Sequence, residues 1–196
     1  MEKSLTGDMK IIEEPKKPLA MHPKKFAMWL FMASVMMLFA SLTSAYIVRE
    51  AEGNWIYFDL PVLFYYTSAI IIVSSVTMQW AYFAARKDDG KRVKMLVIIT
   101  SILGIAFLVG QFMAWGDLVR QSIYFVGNPS GSFLYVLTGL HGLHIVSALV
   151  FLLVVLNSAM KLRVSKNMAQ VEMCTTYWHF LGGLWIYLFL FFLINR

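Results

Sequence analysis

None of the long apolar runs in this 196-residue chain contains an acidic residue. The eleven Asp and Glu residues fall in tails, loops or the margins of those runs, with Glu172 and Asp117 nearest to the apolar interior. A carboxylate inside a membrane normally marks a proton or ion path. Its absence counts against an independent pump, channel or proton-coupled carrier. Cysteine is almost missing as well: Cys174 is the only one, so intrachain disulfides are excluded. Only 14% of residues are charged, 59% are hydrophobic and the mean hydropathy is +0.67. A soluble domain of this size would leave too much apolar surface in water. No internal repeat or low-complexity segment is visible. No cleavable leader is expected, since the first apolar run follows a long polar tail and exceeds a signal h-region.

What is present is a set of runs long enough to cross a bilayer, which takes about 20 apolar residues each. Five such spans are expected, at residues 26–48, 62–85, 95–115, 133–160 and 175–194, after a polar tail over 1–25. The fold expected is an all-α integral membrane bundle of five transmembrane helices. Basic residues are distributed unevenly: 14 of the 17 lie in the tail, the second-to-third loop and the fourth-to-fifth loop. Only Arg49, Arg120 and Arg196 lie on the other side. Positive charge marks the cytoplasmic face, so the N-terminus is expected inside and the C-terminus outside. The net charge of +6 has the same source and does not point to nucleic acid. Trp55, Tyr57, Tyr65, Trp115 and Tyr124 are expected at the outer interface, and Trp80, Tyr82 and Tyr177 at the inner one.

The ionisable groups left within the spans are His141, His144 and His179. His141 and His144 lie three residues apart, on one helical face with Leu137 and Ala148. On the last span Trp178, Gly182 and Trp185 share a face that His179 borders. Metal or haem ligation is one reading of such histidines. A bis-histidine haem needs two imidazoles at matching depth. The expected span ends place His144 and His179 roughly 18 Å apart in depth, and no carboxylate or thiolate stands by to complete a zinc site. The plainer reading is hydrogen bonding across helices or to lipid. Close helix approach is expected at Gly139, Gly142, Gly182 and Gly183, and at Ala33, Ala40, Ser41 and Ser44 of the first span. Ser74, Ser75 and Thr77 are expected to bond carbonyls of their own helix. The thirteen methionines are expected to fill gaps rather than bind copper.

Three stretches carry a resemblance. YWHFLGGLW (177–185), GLHGLHI (139–145) and GQFMAW (110–115) resemble, in order, the motifs of haem-copper oxidase subunit III, and WLFMASVMMLFASLTSAY in the first span follows the same family's pattern. The short five-helix form is similar to bacterial members. The chain departs from that family at two points: Val35 stands where the family usually has a glutamate, and Ala114 replaces an acidic residue.

The resemblance implies a subunit of a respiratory terminal oxidase in the bacterial inner membrane, without haem, metal or catalytic residues of its own. Haem and copper would lie in partner subunits, with subunit I in direct contact and subunit II and other respiratory-complex subunits nearby. Bound phospholipid is implied in a cleft between helix groups, with His141, His144, Trp178, His179 and Trp185 as packing and lipid-contact candidates. The donor implied is cytochrome c. A quinol oxidase subunit III, or a relative associated with nitric-oxide reductase, fits the same motifs. A small haem-b membrane anchor using the three histidines is the alternative of another class. Restoring the acid by Val35→Glu is expected to cost stability, because the carboxyl would stand alone among apolar helices.

Overall fold

The computed structural model describes residues 23–161 and 168–195, without the side chains of 159–161. The tail over 1–25 therefore lies outside the described residues except at Pro23, Lys24 and Lys25, as do Arg163 and Lys166 of the fourth-to-fifth loop. Five helices follow one another: α1 (Pro23–Ala51), α2 (Leu63–Arg86), α3 (Gly90–Arg120), α4 (Pro129–Lys161) and α5 (Met168–Ile194). All five are long and apolar enough to cross a membrane, and no strand occurs among the described residues. The helices outrun the expected spans at most ends. Hydropathy reports the hydrocarbon-facing part, whereas a backbone helix continues into polar turns until a cap or a left-handed residue stops it.

Those stops are visible. Asp88 takes a positive φ of 55° after α2, and the Asp89 side chain then accepts from Arg92 N at 3.2 Å to open α3. Ser122, with φ 62°, follows the close of α3. The GNPSG stretch divides between loop and helix. Asn128 Oδ1 accepts from Ser130 N at 3.0 Å and from Ser130 Oγ at 2.7 Å, so Pro129 sits at the first helical position, where its missing N–H costs nothing.

α2 and α3 form the tightest pair, and α4 packs on α3. α5 fills the middle against α1, α2 and α4. α1 leans on α4 and α5 and makes no substantial contact with α2, which leaves a cleft between α1 and α2 floored by α5. α1 reaches the bundle through one stripe, Met32, Val35, Phe39, Thr43 and Tyr46. The small residues Ala33, Ala40, Ser41 and Ser44 lie instead on its exposed faces. The 3–4–4–3 spacing of the bulkier side chains decides the orientation, because burying them removes more surface from contact with lipid and fills more of the interhelical space.

The close approaches also differ from expectation. A Cβ on Gly182 would lie 3.0 Å from Ser75 Oγ, but Gly139 and Gly142 sit at ordinary contact distance, and Gly183 faces open space. The tightest glycines of the helix packing are on α3. A Cβ on Gly104 would lie 2.7 Å from the Trp178 ring, and one on Gly110 would lie 2.5 Å from Thr67 Cγ2.

Candidate functional site

α2 spreads its polar side chains along two faces, and nearly all of them are answered by neighbouring helices. Trp178 Nε1 donates to Ser74 Oγ at 3.1 Å, and Trp185 Nε1 donates to Ser68 Oγ at 2.9 Å. Gln111 Nε2 donates to Thr67 Oγ1 at 3.1 Å, and Thr77 and Thr100 share a hydroxyl contact of 2.8 Å. Ser74 and Thr77 also donate to carbonyls of their own helix, at 2.8 Å each. The in-helix role expected of them is thus half of what they do. Ser75 instead packs under Gly182. The ring of Trp185 stacks on Phe64 at 5.7 Å, and both indoles are fully buried. With no water in the hydrocarbon, each of these groups needs a protein partner.

The three histidines occupy three different settings. His141 is fully buried between Phe107 and Trp185, with Nε2 3.1 Å from the Leu181 carbonyl. A carbonyl only accepts, so Nε2 carries the proton. The half-buried His144 holds Nδ1 2.7 Å from its own helix carbonyl at Leu140, and its ring meets Phe31 and Phe39 of α1. The half-buried His179 donates from Nε2 to Gln79 Oε1 at 2.9 Å, towards α2.

The expected 18 Å difference in depth between His144 and His179 does not hold. The His141–Leu181 bond and the 2.8 Å contact between Ser147 and Tyr177 set the antiparallel register of α4 and α5. That register puts position 144 level with position 179. The start of α5 at Met168 rather than near 175 accounts for about 10 Å of the difference, and the rest comes from how far each helix runs beyond its neighbour at that end. The same shift carries Tyr177 inward: it is a buried α4 partner, not an interface residue. Equal depth does not bring the rings together, since one looks towards α1 and the other towards α2. Among the described residues no group of three metal-capable side chains forms.

Val35 lies one turn from both Phe31 and Phe39 on the buried stripe of α1, and those two rings flank His144 at 6.3 and 5.8 Å. A carboxyl introduced at 35 would lie between the two residues whose rings flank this imidazole. At the end of α1 nearest α5's start, Lys25 Nζ lies 2.7 Å from Glu172.

Two apolar grooves run along the cleft floor. One, of about 550 Å³, lies between α1 and α5 and includes Met36, Phe39, Ala40 and Tyr187. The other, of about 380 Å³, lies between α2 and α5 and includes Ile71, Ile72, Ser75 and Gln79. His179 and Gly183 line both, so they form a ridge dividing them. Motif reading identified His179, Trp178 and Trp185. It held Gln111 within GQFMAW without giving it a role, and it missed Gln79, Thr67, Ser68 and Thr100, whose signal in the sequence is only a polar residue inside an apolar run.

Fold and site define a multi-pass helical membrane protein whose interior polar side chains mostly bind its helices together. Its residues 54–195 match the family model described as cytochrome c oxidase subunit III. Among curated relatives, the chain is 31% identical over 169 residues to the cytochrome c oxidase subunit 3 of Corynebacterium diphtheriae, covering 82% of each chain. It is 29% identical over 171 residues to the probable cytochrome c oxidase subunit 3 of Nocardia farcinica, again 82% of each. A probable quinol oxidase subunit 3 of Staphylococcus saprophyticus is 27% identical, over 84% of this chain and 85% of the relative. The chain belongs to the cytochrome c oxidase subunit III family, and is a multi-pass bacterial membrane subunit of a haem-copper terminal oxidase.

Proposed function

We propose that this chain is a non-catalytic, cofactor-free subunit that packs beside subunit I and holds phospholipid in the cleft between α1 and α2, prolonging the working life of the oxidase. The observation that carries the reading is the pair of apolar grooves on either side of the His179–Gly183 ridge. Each exposes a mostly apolar surface, with Gln79, Ser75, His179 and Tyr187 as its few polar side chains, which suits acyl chains. The divergent settings of the three histidines support the absence of a haem. The basic-residue asymmetry supports an N-terminus inside and a C-terminus outside.

Removing the chain should leave an oxidase with normal haem spectra and substantial initial activity that decays faster during turnover. Complete loss of initial activity, with the catalytic subunit assembled and holding its haems, would contradict the reading. A stoichiometric Soret band on the purified chain would favour the haem-b anchor instead. Cytochrome c is the donor proposed for the assembled enzyme. Turnover with a quinol and none with cytochrome c would move it to the quinol oxidases.

A further inference from the structure

His144 leaves one hydrogen-bonding group unaccounted for. Its Nδ1 lies against the Leu140 carbonyl, so Nδ1 carries the proton and the neutral ring presents Nε2 as an acceptor. No donor among the described residues reaches that nitrogen. Among the described residues, the unpaired side-chain atoms sealed in the interior are Gln111 Oε1, His141 Nδ1 and Gln170 Oε1. The Nε2 of His144 is not one of them, so it opens to the surface.

The hydroxyl groups around it have already placed their protons. Ser147 Oγ donates to the His144 carbonyl at 2.7 Å, which leaves Tyr177 to donate to Ser147 at 2.8 Å. Across the seam, Ser34 and Ser41 donate to Leu30 O and Leu38 O. Depth excludes lipid head groups as a source. α4 runs from Pro129 to Lys161, so His144 sits near its middle, roughly 23 to 25 Å of helix from either end. Acyl chains offer no donor there.

The surface beside this nitrogen suits a helix. On α1, Met36 and Ala40 lie to the α5 side of Val35, and Ser34 and Ser41 lie to the α4 side. Ala27, Ser34 and Ser41 are all exposed and recur every seven residues, and such small side chains let a second backbone come close.

Resting on the reading of the chain as an oxidase subunit, we propose that the α1–α4 seam at His144 receives a transmembrane helix of another subunit of that oxidase, which donates an O–H or N–H to His144 Nε2. The seam is then a specificity contact between subunits, on the opposite side of α1 from the lipid cleft.

The test uses the assembled oxidase in native membranes, with a photoreactive amino acid at Ser34 or Ser41. A cross-link to a different oxidase subunit is expected, mapping within a turn of a Ser, Thr, Tyr, Trp, Asn or Gln in a transmembrane segment. His144→Phe should lower retention of the chain in the detergent-solubilised oxidase about three- to tenfold, and His144→Gln, which keeps an acceptor, should restore most of it. Unchanged thermal unfolding of the isolated His144→Phe chain would separate lost docking from lost folding. If that variant does not fold, the cross-links of the native-histidine chain decide. Cross-links to lipid alone or to a second copy of the chain, or full retention of folded His144→Phe, would overturn the inference while leaving the subunit reading intact. Failure of the chain to co-purify with any oxidase would overturn both.

Discussion

The indole nitrogen of Trp185 on α5 donates to the hydroxyl of Ser68 on α2 at 2.9 Å, with the indole fully buried and Ser68 nearly so. About two turns earlier on α5, Trp178 repeats the arrangement on Ser74. Ser68→Ala would leave the Trp185 N–H in a dry interior without an acceptor. The expected cost is about 1–2 kcal/mol of unfolding free energy in detergent. Ser34→Ala, at an exposed position, should cost far less in the isolated chain. Equal effects from the two would show that the indole bond carries no weight.

Gly110 admits α2 against α3. A Cβ there would lie 2.5 Å from Thr67 Cγ2, a short branched side chain that cannot swing away without giving up Gln111. Gly110→Ala should destabilise by about 1–3 kcal/mol. Gly116→Ala, on the same helix with nothing within 4 Å of the new Cβ, should be neutral or stabilise by up to about 1 kcal/mol. Thermal unfolding of the two variants side by side checks the contrast.

Val35→Glu probes the facing of α1 and α4. The carboxyl would point at the ring bracketed by Phe31 and Phe39. Its cost should be smaller with His144 present than in a His144→Phe background, by a coupling of about 1–3 kcal/mol. A double-mutant cycle on the isolated chain measures this, and additivity would mean that the imidazole and position 35 do not meet.

Asn128 performs two tasks at the N-terminal end of α4. Its Oδ1 caps the first turn, and its Nδ2 donates to the Asn54 carbonyl at 3.0 Å, tying two loops. Asn128→Ala should lower local stability by about 1–2 kcal/mol. The measurable sign is faster amide exchange over the first turn of α4 and the loop at Asn54, with the middle of the bundle unchanged.

The sequence by itself determined that the protein is a membrane bundle of five helices. Run length and hydropathy are local properties, and a backbone in hydrocarbon has few ways to satisfy its own N–H and C=O groups. Side-chain types in a fixed order likewise sufficed for the family, because YWHFLGGLW and GLHGLHI can be read without knowing what they touch. What only the tertiary structure decided was facing and register. A run of apolar residues is nearly isotropic around its helix, and in α5 residues on three faces are buried, so no periodicity marks which side meets α2. The level of His144 against His179, the exposure of Ser41 and the closeness of Gly110 to Thr67 all follow from how two helices slide and rotate against each other. That is settled by the fit of side chains between helices and by which buried donors find acceptors, and neither is written in either helix alone.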